Sequence, residues 1–293
     1  MINLFADQFS LTGVRIEFHK REQMKRRLLS ALVLISCAIG VSVLSKELPP
    51  QESDRLTPIQ REIEHERQCL ASSDVEERRD ALMKLGSLKR PDASRAAKAG
   101  LNDAVPIVRA TSVHAIVSLP QAEAEVLLIP LLQDKSEFVR RETAYALGEI
   151  GSHSAVGPLS NTLSYDKEAA VRAAAAVALG EIRDEAAVNV LSQVLNGNPP
   201  AKGKNKSKPD EFVMRAAAHS LGQIRSKAGV PVLIAALEND TNPGDVRREA
   251  ATSLGLIGDV SAVASLRAAV GSADPYLSAA ARDSLRRMRI AKD

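Results

Sequence analysis

A block of about 31 residues recurs seven times along this chain, and no other feature restricts its fold as much. The anchors are Leu85, Ile116, Leu147, Leu179, Leu221, Leu254 and Leu285, at successive spacings of 31, 31, 32, 42, 33 and 31 residues. The clearest copies run from Val139-Arg140 to Leu147-Gly148-Glu149-Ile150, from Val171-Arg172 to Leu179-Gly180-Glu181-Ile182, and from Val246-Arg247 to Leu254-Gly255-Leu256-Ile257. A chain built this way has no single central core. Each copy is one supersecondary unit that buries its apolar face against the copies before and after it.

Each unit reads as a helix around its anchor. Eight positions before it stand Glu77, Val108, Val139, Val171, Val213, Val246 and Leu277. Four before it stand Ala81, Ser112, Thr143, Ala175, Ala217, Ala250 and Ala281, and three after it Leu88, Leu119, Ile150, Ile182, Ile224, Ile257 and Met288. These offsets share one helical face. The small residues on that face predict close helix contacts. A second apolar stretch precedes each anchor helix, at 124–132, 155–163, 186–195, 230–237 and 262–270. Asp74, Asp103, Asp134, Asp166, Asp210 and Asp274 stand in the turn between the two, where an Asp suits the N-terminus of the following helix. No strand-like alternation competes after residue 53. The expected fold is all-α, an α-α superhelix of about seven helix pairs over 57–293.

The turn Asp, the Val-Arg pair and the Ala-Leu-Gly-x-Ile box resemble the HEAT repeat, in the short form of the phycobilin (PBS) lyase HEAT-like repeat proteins, over roughly 57–290. The resemblance implies an armadillo-like solenoid in which the helix bearing the Val-Arg pair lines the concave side. The groove helices would then start near 75, 105, 136, 168, 211, 245 and 275. The box alone carries no lyase activity, so a phycobilin-lyase-like enzyme or enzyme subunit stands as the alternative to a binding scaffold. Deoxyhypusine hydroxylases, which are similar in repeat type, hold a di-iron centre through several His-Glu pairs. This chain has only His65-Glu66, so no metal site is expected.

Ahead of the repeats, residues 28–45 (LLSALVLISCAIGVSVLS) carry no charge, follow Lys25, Arg26 and Arg27, and precede a linker at 47–56 with Pro49 and Pro50. Eighteen residues of helix rise about 27 Å, close to the ~30 Å hydrocarbon core. Residues 24–46 read as a signal anchor, a cleaved signal peptide, or a lipoprotein signal in which Leu34-Ile35-Ser36-Cys37 would make Cys37 the lipidated terminus. Translation from Met24 would make 1–23 an upstream extension. Each reading puts the solenoid outside the cytoplasm, anchored in the membrane or secreted or periplasmic after cleavage. Cys69, the other cysteine, reads as a small buried residue on a helix.

Charge limits the partners. The first 45 residues hold six basic and three acidic side chains, leaving 33 of each sign in the remainder. A neutral body with 3% aromatics and no Trp offers neither a phosphate-binding face nor a stacking platform, so no nucleic acid is expected. No GxSxG, P-loop, HExxH or dinucleotide fingerprint is present, and no catalytic residues, metal or small-molecule cofactor are expected.

Three sets of residues remain. Arg78, Arg109, Arg140, Arg172 and Arg247, seven before their anchors, are expected to pair with the turn acids Asp103, Asp134 and Asp166 and their equivalents as a structural ladder. The slot two before the anchor is off the apolar face and varies from unit to unit. Its His114, Tyr145 and His219, with the neighbouring Arg141, Glu142, Arg215, Arg248 and Glu249, are the concave-face candidates for binding another protein. The 42-residue spacing comes from an insertion at 196–210 that carries Lys202, Lys204, Lys206 and Lys208. That segment reads as a tolerated surface loop or as a basic finger for an acidic partner.

Overall fold

A computed structural model of the chain describes residues 56–197 and 210–289. Residues 28–45, Cys37 and the four insertion lysines Lys202, Lys204, Lys206 and Lys208 lie outside the described residues. Among the described residues there are fourteen α-helices and no strand. They form seven pairs: α1 (Pro58–Cys69) with α2 (Val75–Ser87), α3 (Pro91–Ala97) with α4 (Pro106–Ala115), α5 (Gln121–Leu128) with α6 (Glu137–Glu149), α7 (Val156–Tyr165) with α8 (Ala169–Ile182), α9 (Val188–Leu195) with α10 (Glu211–Ile224), α11 (Val230–Glu238) with α12 (Gly244–Ile257), and α13 (Val263–Val270) with α14 (Pro275–Arg287). Among the described residues no helix is long and apolar enough to cross a membrane.

The anchor face is the core. Leu85, Ile116, Leu147, Leu179 and Leu254 are 0% exposed and Leu221 1%. Leu285 is only half-buried, since among the described residues no further repeat packs on its outer side. Glu77 departs from its slot in the first repeat and is exposed. Every residue four before an anchor is buried.

The even-numbered helices pack against one another along the whole array, whereas successive odd-numbered helices touch at few places. The tighter of the two layers is therefore α2, α4, α6, α8, α10, α12 and α14, the helices that bear the Val-Arg pair or its equivalents. Their close approach has a specific cause. The residue after the anchor is usually Gly, and it faces the residue before the next anchor. A Cβ on Gly148 would stand 2.8 Å from Ala178 Cα, and one on Gly255 would stand 2.7 Å from Ser284 Cα. Only hydrogen fits there.

The arginine ladder ties repeats through their turns. Arg78 donates to Asp103 (2.7 and 3.1 Å), Arg109 to Asp134 (2.9 and 2.8 Å), and Arg140 to Asp166 (2.6 and 2.9 Å), each bidentately and one repeat on. The third nitrogen of each guanidinium holds a carbonyl of its own turn, as Arg140 does on Asp134 O at 2.9 Å. Two expected rungs are different. Arg172 keeps its own turn's carbonyls, Asp166 O at 2.9 Å and Lys167 O at 3.1 Å, but reaches no carboxylate. The next turn acid, Asp210, spends its oxygen on the N–H groups of Phe212 and Val213. Arg247 bonds Leu237 O and Asp240, while its neighbour Arg248 takes Asp274 at 2.9 Å.

The capping expectation also divides. Asp74, Asp210 and Asp274 cap α2, α10 and α14. Asp103, Asp134 and Asp166 do not cap. They stand two residues before the N-cap, accept from the N–H two positions on, and give the rest of the carboxylate to Arg. A carboxylate occupied by a guanidinium fork is not aimed at the helix end. Cys69 is half-buried rather than buried, its Sγ 4.0 Å from His65 Nε2.

Candidate functional site

An open trough of about 960 Å³ crosses α6, α8 and α10 in the tighter layer and reaches Glu249 of α12. It exists because α8 is small where its neighbours are large. Six before the anchor stand Arg141, Ala173 and Arg215; two before it stand Tyr145, Val177 and His219. Ala169, Ala170 and Ala173 of α8, with Ala216 of α10, form a floor that the longer side chains on either side overhang.

Six of the eight concave-face candidates, Arg141, Glu142, Tyr145, Arg215, His219 and Glu249, line this one trough. His114 sits at its edge with Nε2 at 2.9 Å from Glu142 Oε2. Arg248 lies one repeat beyond, between Asp245 and Asp274 and 5.2 Å from the Tyr276 ring centre. Phe212, 67% exposed, lines the trough without having been singled out by spacing. Its signal was an aromatic slot nine before the anchor, shared with Phe138 and Tyr276. The cation–aromatic contacts use that slot, with Arg141 at 5.0 Å from Phe138 and Arg215 at 5.8 Å from Phe212.

The acids of the trough are partnered from within. Glu142 Oε1 accepts from Arg141 Nε (3.0 Å) and Nη2 (2.9 Å), and its other oxygen meets His114. Glu249 Oε1 lies 2.9 Å from His219 Nδ1. An ionised carboxylate only accepts, so that nitrogen carries the proton. The hydrogen bond to Glu249 holds His219 above its ordinary value, and burial and the Arg215 charge act against it. Both His–Glu pairs have the same register, two before one anchor to five before the next. Among the described residues no group of His, Cys, Asp and Glu stands close enough to hold a metal ion. Glu66, of the single His-Glu dipeptide, is buried and bonded to Lys84 at 3.0 Å.

The family described as HEAT repeats matches residues 63–144, 125–206 and 205–286. Among solved structures, YibA of Escherichia coli is 18% identical over 86% of this chain and 97% of its own, with a TM-score of 0.52. The CpcE–CpcF complex of phycocyanin lyase from Nostoc sp. PCC7120 is 22% identical over 84% of this chain and 94% of its own, with a TM-score of 0.48. Human deoxyhypusine hydroxylase is 21% identical over 79% of this chain and 97% of its own, with a TM-score of 0.39. Identities this low speak for the fold alone. No curated protein matches the sequence. Its helices stack in seven pairs and the family matches it in three overlapping stretches from residue 63 to 286, so this chain belongs to the HEAT-repeat family.

Proposed function

We propose that the protein is a non-catalytic scaffold that binds another protein in the trough across α6, α8 and α10. We propose further that it works outside the cytoplasm, tethered through residues 28–45 or released after cleavage there. The observation that carries the binding reading is the convergence of six variable side chains on one open concave surface over an alanine floor. Variable residues on a constant frame are where a solenoid holds its specificity. The titratable side chains of the trough support binding over catalysis, since Glu142 and Glu249 are each engaged by neighbours.

Ala170 is exposed on the floor, so Ala170→Trp fills the trough without entering the core. Partners captured by the tagged full-length chain and identified by mass spectrometry should be lost with Ala170→Trp. They should be retained with Val126→Trp, a change at an exposed position on α5 outside the trough. Equal capture by both variants would remove the trough from the proposal. For the compartment, a reporter fused after residue 53 should lie outside the cytoplasm. A soluble cytoplasmic reporter would reject export.

A further inference from the structure

The trough has an unequal hydrogen-bond balance. Both of its carboxylates meet a neighbour, but only one of its two arginines is hydrogen-bonded to a carboxylate. Glu142 receives Arg141 and meets His114, and Glu249 meets His219. Arg215 is different. Its nearest carboxylate oxygen, Asp245 Oδ2, is 4.0 Å away, a loose ion pair beyond hydrogen-bond reach, and Arg248 bonds the other oxygen of that carboxylate. The Arg215 side chain is 48% exposed and lies beside the Phe212 ring. Elsewhere in the array, Arg109 and Arg140 spend their guanidinium groups on a carboxylate fork and turn carbonyls. A guanidinium held against an aromatic face at the rim of an alanine floor, with its donors unspent, is preorganised for an incoming carboxylate.

We infer that the partner enters this trough as an acidic, apolar segment of polypeptide, with an Asp or Glu carboxylate on Arg215 and an adjacent large apolar side chain on the floor beside Phe212 and Val177. The inference rests on the reading of the trough as a protein-binding surface and names the chemistry of what it binds. Charge complementarity selects the acid, because the exposed Arg215 guanidinium has no hydrogen-bonded carboxylate, whereas Glu142 and Glu249 already face Arg141, His114 and His219. The exposed Phe212 ring and the alanine floor select the apolar neighbour. Helices in contact lie about 8–10 Å apart, so α6 and α10 stand roughly 16–20 Å from each other. At about 3.3 Å per residue, five or six extended residues cross that span. A free nucleic acid strand is the poorer fit, since it needs a run of unspent cations.

The test uses phage-displayed random dodecapeptides panned against the full-length chain. The enriched sequences should place Asp or Glu beside Phe, Leu or Ile. Synthetic versions should bind about tenfold or more weakly when the acid becomes its amide. Arg215→Gln should cause a similar loss, with the helical circular dichroism unchanged. The two changes together should cost little more than either alone, as a direct pair requires, and Arg215→Lys should restore part of the loss. Enrichment of basic or uncharged peptides, acidic peptides that bind Arg215→Gln as well as the parent chain, or no enrichment would each overturn the inference. So would an Arg215-dependent rise in melting temperature with glutarate in the absence of peptide binding, which marks a small-acid site. Peptide binding that survives Ala170→Trp overturns the trough itself. A partner lost with Ala170→Trp but indifferent to Arg215→Gln overturns only the acidic chemistry.

Discussion

The two halves of the solenoid are held together by different bonds. From the first repeat to the fourth, three arginine forks cross the boundaries: Arg78 to Asp103, Arg109 to Asp134 and Arg140 to Asp166. The residue before the anchor is Ala in the second, third and fourth repeats, as Ala115, Ala146 and Ala178. From the fourth repeat onward the bidentate forks give way, leaving a single Arg248–Asp274 bond at the last boundary, and the position before the anchor becomes Ser. Ser220 donates to Ala176 O at 2.7 Å, Ser253 to Ala218 O at 2.8 Å and Ser284 to Ala251 O at 2.8 Å. The change falls at the repeat that carries the insertion, where Arg172 finds no carboxylate and Met214 stands where an arginine would start the next rung. A repeat boundary therefore needs a tie but no particular chemistry. A charged fork in the turns and a neutral hydroxyl in the helix seam serve the same frame.

This contrast sets an order of effects. Arg140→Ala should be the most damaging. It leaves Asp166 without its fork partner at a boundary where both side chains are 8% exposed, at a cost of about 3–5 kcal/mol in urea unfolding. Gly255→Ala should follow, at about 1–3 kcal/mol, because the added methyl meets the α14 backbone. Amide exchange should localise that loss to the last repeats. Ser253→Ala removes one neutral bond onto a helix carbonyl and should cost about 1 kcal/mol. A Ser253→Ala loss equal to that of Arg140→Ala would break the comparison, since the seam would then carry as much as the fork.

Acid should weaken carboxylate ties in both halves, and His219 should respond with the opposite slope. The Arg78 hydrogen bond holds Asp103 below the ordinary 3.8. At Asp134 burial pushes the carboxyl up, but Arg109 and the Ser136 N–H carry it below 3.8. For a depressed carboxyl, the stabilisation is present above the unfolded value and is lost as pH falls through the folded one. Amide exchange in α2, α4 and α6 should therefore quicken below about pH 3.8, and so should that in α14, where burial pushes the capping Asp274 up but Arg248 and the Leu277 and Tyr276 N–H groups carry it below 3.8. His219 has the reverse sign. Its folded value is raised above 6.5, so its contribution is full below 6.5 and is lost as pH rises through the folded value. His219→Gln should remove that slope from melting temperatures measured above pH 6.5, and it is the smallest effect expected here.

Much of this molecule was legible residue by residue. The anchor leucines, the small residues four before them and the start of each anchor helix follow from period and pattern, because burial in a stacked helix pair repeats with the chain. The variable slot two before the anchor was legible as exposed, and Tyr145 is 37% exposed where Leu147 is buried. The fate of each Asp follows a register that the shared turn hides: Asp74, eleven before its anchor, caps its helix, whereas Asp103, thirteen before its own, holds an arginine from the preceding repeat.

Sequence by itself determined that this chain is a HEAT solenoid, where its helices start and which positions are core. Those properties depend on contacts that recur at a fixed distance along the chain. Only the tertiary structure decided that the residues after α6, α8 and α10 begin would form one trough, that Glu142 and Glu249 would be satisfied from neighbouring repeats, and that Arg215 would be left with its donors open. Each of those outcomes is settled between side chains about one or two repeats apart, by helix spacing and by which neighbour is small. A period shows that such side chains share a face. The packing distance between helices selects which of them touch.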